Sequence, residues 1–278
     1  MTRRPGRRQV QGQTLLELMV ALALGLLVLG AVLGSLMASG KTARQQVAVA
    51  EMVENAQLGL GLISRELLLA GFSVPTGLSP SGASMSRAYA DRPVFGCKTG
   101  FESPRIVGPV VCAAAGTDAL EVVYEATLNN SSPTSANLPT DCLGNGLSAV
   151  AGVRIAYNRY YVASGSTGRG ELHCASRQGA SGQPLVDNVQ GMTLWFGEAN
   201  ASTPRAVVRY VGAHEVSDWR LVISVRVCLL MRSSEPVLDA GEDRLSYTDC
   251  DWVQQSSSDR FLRRAFFSTT TLRNQMAF

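Results

Sequence analysis

The feature that most constrains this chain is a long apolar segment close to its N-terminus. From Leu18 to Ala38 the sequence carries no charge, and Ser35 is the only polar side chain in that stretch. About 20 consecutive apolar residues are needed to cross the hydrocarbon core of a bilayer as an α-helix. The segment therefore predicts a transmembrane helix over residues 13–38, with most of the chain following it.

The charges on either side of this segment predict its orientation. Basic residues precede it at Arg3, Arg4, Arg7 and Arg8. Fewer follow it, at Lys41 and Arg44. Because basic flanks remain on the cytoplasmic side of the inner membrane, we expect a single-pass protein with a cytoplasmic N-terminus. The C-terminal domain would then lie in the periplasm.

Two other interpretations of the segment stay open, a plain membrane anchor and a secretory signal peptide. For a signal peptide, Ser35 and Ala38 are small enough to flank a cleavage site. Its apolar core, however, usually spans only about 7–15 residues. Glu17 also opposes it, because a carboxylate at membrane depth costs about 2.5 kcal/mol or more and needs a partner.

The residues around Glu17 resemble the type IV prepilin signature. The matching stretch runs from Gly12 through Gln13 to Glu17 and is followed by the apolar segment. The resemblance implies that a prepilin peptidase cuts between Gly12 and Gln13 and that Gln13 becomes a methylated N-terminus. It also implies that Glu17, the fifth residue of the processed chain, guides assembly. The family usually has phenylalanine or another hydrophobic residue where this chain has Gln13.

The chemistry of these residues supports the same roles without the family. Gly12 has no side chain to obstruct a protease. The carboxylate of Glu17 needs a cation in lipid. The nearest one is the free α-amine of residue 13 in a neighbouring subunit, so the pair would neutralise both charges.

An apolar stripe predicts that the helix continues beyond the membrane segment. Apolar residues recur at spacings of three and four, at Val49, Val53, Ala56, Leu60, Ile63, Leu67 and Ala70. Gly59 and Gly61 each cost about 1 kcal/mol relative to alanine, which predicts flexing there, and Gly71 predicts the helix end. A short anchor followed by a separate amphipathic helix would give the same stripe.

Downstream, runs of β-branched and aromatic residues predict strands, at Ala119–Glu125, Val153–Val162, Met192–Phe196, Arg205–Val211, Leu221–Met231 and Ala265–Leu272. Stretches rich in glycine, proline and serine predict irregular connections over Ser73–Pro104 and Asn129–Gly146. The expected fold class is α+β, a long N-terminal helix packed on a mainly antiparallel β-sheet. The expected divisions are a leader at 1–12, the membrane helix at 13–38, an amphipathic helix at 39–71 and a β-rich domain at 72–278.

Several later segments resemble PilW-type minor pilins. These are Glu54–Gln57, Ser64–Leu67, Ala70–Phe72, Leu185–Met192, Val222–Val227, Leu229–Ser233, Arg264–Thr270 and Leu272–Asn274. The segment Leu185–Met192 also resembles the GspJ pseudopilins of type II secretion. The resemblance implies a non-catalytic subunit that primes and caps a type IV pilus, a pilin-like fold, and possible display at the pilus tip. Its implied partners are other minor pilins, the major pilin, a tip adhesin, the prepilin peptidase and an inner-membrane assembly platform. A pseudopilin and a pilus-tip ligand-binding module remain the alternatives.

All six cysteines follow the membrane segment, at Cys97, Cys112, Cys142, Cys174, Cys228 and Cys250. An even number of cysteines in an exported domain predicts disulfides, although the connectivity does not follow from sequence alone. Pairing each cysteine with its neighbour closes the smallest loops, at 97–112, 142–174 and 228–250. The alternative that one pair stays reduced and buried remains open.

Neither enzyme chemistry nor nucleic-acid binding is favoured. Outside the first twelve residues the chain has 21 basic and 22 acidic residues, so it lacks the excess of positive charge typical of a nucleic-acid binder. The two histidines, His173 and His214, belong to no catalytic motif, and Asp239–Asp243 lacks the oxygen spacing of a calcium loop. We therefore expect no catalytic residue, no metal and no cofactor.

Overall fold

The computed structural model describes residues 14–78, 85–89, 92–103, 110–177, 181–238 and 245–275. Helix α1 spans Leu15–Leu69 as one uninterrupted α-helix. The chain forms two compact units, Met1–Val47 and Ala48–Phe278. Helix α1 belongs partly to each unit, and all of the described strands belong to the second.

In the first unit, every side chain of α1 from Leu15 to Met37 is exposed. This part of the helix is long and apolar enough to cross a membrane, judged by its length and composition. A helix that is apolar on all sides needs apolar surroundings on all sides, which lipid or other helices supply.

In the second unit, α1 and the turn that follows it bury one face, formed by Ala48, Met52, Ala56, Gly59, Ile63, Leu67 and Ala70. The predicted stripe is right at its C-terminal end and one residue off nearer the start, where Val49, Val53 and Leu60 are only half-buried. The reason is Gly59, where an added Cβ would lie 2.9 Å from Cδ1 of Leu229. The strand that carries Leu229 therefore approaches the helix closely at Gly59. The predicted stripe did not include this position, because glycine was not counted as an apolar residue.

The end of α1 lies close to the predicted position. The helix ends at Leu69, and Gly71 takes a left-handed conformation with φ of +72°. A glycine adopts this conformation without the penalty that a Cβ brings. The side chain of Asn274 completes the end, because its amide nitrogen lies 3.2 Å from the carbonyl oxygens of Leu68 and Ala70 and donates to both.

Thirteen strands lie within the described residues. They are β1 Pro75–Leu78, β2 Met85–Arg87, β3 Val94–Cys97, β4 Ala119–Glu125, β5 Ile155–Ser164, β6 Gly170–Ser176, β7 Gln183–Asp187, β8 Val189–Glu198, β9 Arg209–Val211, β10 Val222–Arg232, β11 Leu245–Thr248, β12 Gln254–Ser257 and β13 Arg263–Thr271. One sheet has the order β3-β4-β5-β6-β7 and a second has the order β13-β10-β8-β9. Strands β1 and β2 form a separate two-stranded sheet, and so do β11 and β12. The strand pairs in all four sheets are antiparallel. The fold is α+β, as predicted.

Both large sheets share one hydrophobic core with the buried face of α1. Large side chains at its centre include Tyr160, Leu172, Phe196, Leu229 and Met231. The sheets are also joined by Asp118, just before β4, whose Oδ2 accepts a hydrogen bond of 2.6 Å from the backbone N–H of Leu194 in β8. The carboxylate thus provides a hydrogen-bond partner for a backbone N–H of β8 at a position that the short strand β9 does not reach.

Some sequence predictions need correction. The stretch Ser73–Pro104 is not wholly irregular, because β1 and β2 pair within it and β3 is held by pairing with β4. The strand predicted at Arg205–Val211 is shorter, because Asn200 holds a turn through its side-chain bonds to Thr203 and only Arg209–Val211 pairs with β8. Strands β6, β7, β11 and β12 were missed, since polar residues interrupt them and their cross-strand partners decide the conformation.

Candidate assembly site

The first turn of α1 forms a reciprocal capping box between Thr14 and Glu17. The backbone N–H of Thr14 donates to Oε2 of Glu17 at 3.0 Å. In return, the backbone N–H of Glu17 donates to the hydroxyl of Thr14 at 3.3 Å. Each side chain thus satisfies a backbone donor that the helix itself leaves without a partner. The pattern Thr-x-x-Glu signals such a box, but Thr14 was not among the predicted site residues.

Glu17 carries the only charge between Leu15 and Gly40. Its carboxylate lies at the N-terminal end of α1, where the helix dipole favours a negative charge. It lies among exposed apolar side chains, at the start of the apolar part of α1. Gly12 and Gln13 lie outside the described residues, and so does the rest of the leader.

Three disulfides link different segments of the second unit. They join Cys97 to Cys112, Cys142 to Cys174 and Cys228 to Cys250, with Cα–Cα distances of 5.4, 6.6 and 5.8 Å. No cysteine is free. The pairs are the neighbour pairs that close the smallest loops, and the alternative of one reduced pair is wrong for this structure.

The two histidines have separate structural roles. Nε2 of His173 lies 3.1 Å from Oε2 of Glu171, and its ring stacks on Tyr161 with 5.5 Å between centroids. Its neighbour Cys174 is in a disulfide, so no thiol stands beside the imidazole. His214 is exposed on a short 3-10 turn. Among the described residues no group of three or more His, Cys, Asp or Glu side chains could hold a metal. The acidic stretch Asp239–Asp243 lies outside them.

A polar centre between α1 and the first sheet was not predicted. Glu66 in α1 accepts a hydrogen bond of 2.6 Å from the amide of Asn158 in β5 and one of 3.3 Å from the hydroxyl of Tyr124 in β4. Oδ1 of Asn158 in turn accepts from the backbone N–H of Cys142 at 3.2 Å. These contacts tie the helix, two strands and a disulfide together. The spacing of Glu66 from Ile63 and Ala70 places it beside the apolar stripe, which is the signal that could have revealed it.

Burial governs the ionisation of this centre. Desolvation raises the pKa of Glu66, and its bonds to Asn158 and Tyr124 only partly oppose that rise. Burial also raises the pKa of the Tyr124 hydroxyl, and the neighbouring carboxyl of Glu66 raises it further. The folded state therefore favours a protonated Glu66 more than the unfolded chain does.

An ion pair on the opposite face of the same sheet anchors the loop closed by the first disulfide. Nε of Arg159 lies 2.7 Å from Oε2 of Glu121, and both side chains are buried. Arg159 also donates to the carbonyl of Ser103 at 3.1 Å and packs over the ring of Phe101 at 4.8 Å. One arginine on β5 thereby holds both the sheet and the loop.

Two protein-family models match this chain, one at each end. The Prokaryotic N-terminal methylation motif matches residues 7–33, which include Gly12, Gln13 and the Thr14–Glu17 capping box. The model of Type IV Pilus-assembly protein W matches residues 159–274, from within β5 to just past β13. Together these two matches support a PilW-type minor pilin. In this minor pilin, the PilW match reaches to Asn274, the residue that caps α1.

Comparison with solved structures finds a distant likeness. A type IV-like pilin from Thermus thermophilus shares 13% sequence identity, with a TM-score of 0.37, and the match covers 81% of this chain and 98% of that chain. No curated protein matches significantly. The two family models, and not the distant likeness, carry the assignment.

The family matches indicate the general role of the chain. Pilins of this family are typically structural assembly subunits and interact with other pilus components. The methylation motif followed by the exposed apolar part of α1 fits a membrane-anchored pilin.

Proposed function

We propose that this minor pilin primes assembly of a type IV pilus and caps its tip. The observation that carries the proposal is Glu17, the single charge between Leu15 and Gly40 of α1, placed in the first turn next to the predicted cleavage site. Prepilin peptidase would cut between Gly12 and Gln13, and the new α-amine at Gln13 would be methylated. The processed chain then carries an amine and a carboxylate four residues apart at the same end of its helix.

Charge pairing between subunits drives the proposed docking. The amine of one processed pilin meets the Glu17 carboxylate of the next, so both charges are neutralised in an apolar bundle. Neither charge could stay alone there, because an unpaired ion in a low-dielectric setting is strongly destabilising. The capping box favours this geometry, since it holds the carboxylate at the helix end instead of letting it turn to solvent.

The second unit is suited to the exported side of the membrane. Three disulfides form and persist in an oxidising compartment such as the periplasm. Orientation by the basic leader agrees with that location. We propose as partners other minor pilins, the major pilin, a tip adhesin and the inner-membrane assembly platform, with no cofactor and no nucleic acid.

Two readouts from one deletion strain test this function against the pseudopilin alternative. Removing the gene should abolish surface pili while type II secretion of exoproteins continues, and the gene supplied in trans should restore piliation. Gold labelling of Ala48–Phe278 in restored cells should mark pilus tips. Normal piliation with lost secretion would overturn the proposal in favour of a pseudopilin, and label along whole pilus shafts would overturn the capping role.

A further inference from the structure

Two cavities open on the second unit. They measure about 270 and 360 Å³, and Gly116 and Thr117 line both. Because they share these two lining residues, we treat the two cavities together and call them the Thr117 groove. It passes between the start of β4, the start of β8 and the turn after β11.

The lining of the Thr117 groove offers donors and acceptors of both signs. Its charged side chains are two basic and three acidic ones, Lys98, Arg232, Asp118, Asp249 and Asp251. Lys98 and Asp118 already pair at 3.3 Å. An anionic polymer such as DNA would gain no net attraction from this balance. A neutral ligand rich in hydroxyl groups could use both kinds of partner.

One amide in the groove has an unmet hydrogen-bonding group. Asn188 lines the larger cavity and is 9% exposed, and its Oδ1 has no hydrogen-bond partner among the described residues. Its backbone is left-handed, with φ of +61°. A buried polar atom left without a partner costs about 1–3 kcal/mol, so such atoms normally find one in protein, water or ligand.

A stack of aromatic rings stands at the other side of the same turn. Trp252 is 72% exposed and lies over Phe267, with 5.0 Å between centroids and 10° between planes. Phe267 in turn stacks with Trp195 at 6.4 Å and 27°. Asp249, Cys250 and Asp251 of the turn line the smaller cavity, so four consecutive residues supply both the polar recess and the exposed ring.

The turn that carries Trp252 is fixed in place. Oδ1 of Asp249 accepts hydrogen bonds from the backbone N–H groups of Asp251 at 3.0 Å and Val253 at 2.9 Å. The disulfide from Cys250 to Cys228 ties it to β10. A large aromatic side chain that is held rigidly in an exposed position contributes little to the stability of the fold. It does lower the entropy cost of binding a ligand.

We propose that the Thr117 groove and the exposed face of Trp252 bind a neutral oligosaccharide. The C–H face of a pyranose ring would stack on Trp252, while its hydroxyl groups pair with the amides, hydroxyls and carboxylates of the groove. The inference rests on the proposed function only for placing the second unit outside the cytoplasm. Binding is measured on purified protein without a pilus, so failure of either proposal is distinguishable from failure of the other.

The test uses the full chain in nanodiscs, since sugar-based detergents would compete for the groove. An array of neutral hexose and N-acetylhexosamine oligosaccharides identifies the ligand, and tryptophan fluorescence titration then measures its affinity. We expect saturable binding that shifts emission to shorter wavelength. Trp252→Ala should weaken it at least tenfold and Thr117→Val about fivefold, the usual effect of one lost hydrogen bond. Val150→Ala, which removes another exposed apolar side chain, serves as the matched control.

Three results would overturn the oligosaccharide proposal. One is the absence of saturable binding to any neutral glycan on the array. Another is glycan binding that Trp252→Ala leaves unchanged. The third is a variant Trp252→Ala that loses co-purification with other pilins while wild type binds no glycan, which would make this face a protein interface. A twelve-residue thymidine oligonucleotide should not compete with the glycan.

Discussion

The side-chain amide of Asn158 donates a hydrogen bond of 2.6 Å to the carboxyl of Glu66, 92 residues earlier in the chain. This bond joins β5 to the helix at a depth where burial raises the pKa of Glu66. Stability from such a group is complete below its ordinary pKa of 4.5 and is lost as the pH rises through the higher folded value.

Glu66→Gln should therefore gain stability relative to wild type as the pH rises. Glutamine keeps the size of the side chain and can accept the bond from Asn158, but it never has to be buried as an anion. Urea unfolding of both proteins at about pH 4 and about pH 7, followed by tryptophan fluorescence, measures the difference. Glu54→Gln on an exposed position of the same helix is the control. An equal pH response of both variants would contradict a buried, protonated Glu66.

Asn274→Ala should lower the free energy of unfolding by about 1–2 kcal/mol. Its amide is a partner for the last carbonyl groups of α1, and losing a hydrogen bond at a buried or half-buried acceptor costs about this much. Asn129→Ala, which alters an exposed asparagine in a loop, is the control and should change stability by less than about 0.5 kcal/mol. Equal unfolding midpoints for the two variants would show that Asn274 is not a cap.

Sequence patterns predicted those parts of this fold that depend on local chemistry. The bounds of β4 match Ala119–Glu125, and the helix stop before Gly71 follows from one glycine. Cysteine spacing pointed to the three disulfides because neighbouring cysteines close short loops. Contacts between residues that are distant in the sequence could not be predicted. The spacing of Glu66 places it beside the apolar stripe, but its partners Asn158 and Tyr124 are distant in the sequence and could not be predicted. Strand β12 is too polar to be predicted without its partner β11.

The candidate site divides in the same way. Glu17 was predicted as an assembly residue because it is the lone charge in an apolar run and matches the prepilin motif. Thr14 was not predicted, although the Thr-x-x-Glu pattern signals a capping box. Neither Trp252 nor the Thr117 groove has a local signature. The groove exists only because segments from β4, β8 and the β11–β12 turn meet in the folded unit.

Peptide mapping without reduction should recover all three disulfides from protein exposed to the periplasm. Replacing Cys142 and Cys174 together by serine should destabilise the second unit by roughly 3–4 kcal/mol, the range for a loop of this length. The same exchange at Cys97 and Cys112, which close a shorter loop, should cost less. Free thiols at all six positions after alkylation would contradict the periplasmic location.

Gly12→Ala should block processing of the leader. Any added side chain at this position obstructs the peptidase that the prepilin motif implies. Mass spectrometry of membrane-bound wild type should find a chain that starts at Gln13 and carries one methyl group, whereas the variant keeps Met1. Intact wild-type chain from cells with active prepilin peptidase would contradict cleavage between Gly12 and Gln13.

The most direct test of assembly is Glu17→Gln, because it separates the capping role of this side chain from its proposed role in charge pairing. Glutamine also forms a capping box with Thr14, so the helix start is preserved and only the charge is lost. Thr14→Ala is the matched control, since it weakens the box and keeps the charge. Loss of one partner of a buried ion pair typically costs about 3–5 kcal/mol. We predict that Glu17→Gln is cleaved and inserted normally but no longer co-purifies with other minor pilins, while Thr14→Ala still does. A Glu17→Gln protein that co-purifies and supports pili like wild type would contradict the account and leave Glu17 as part of a simple anchor.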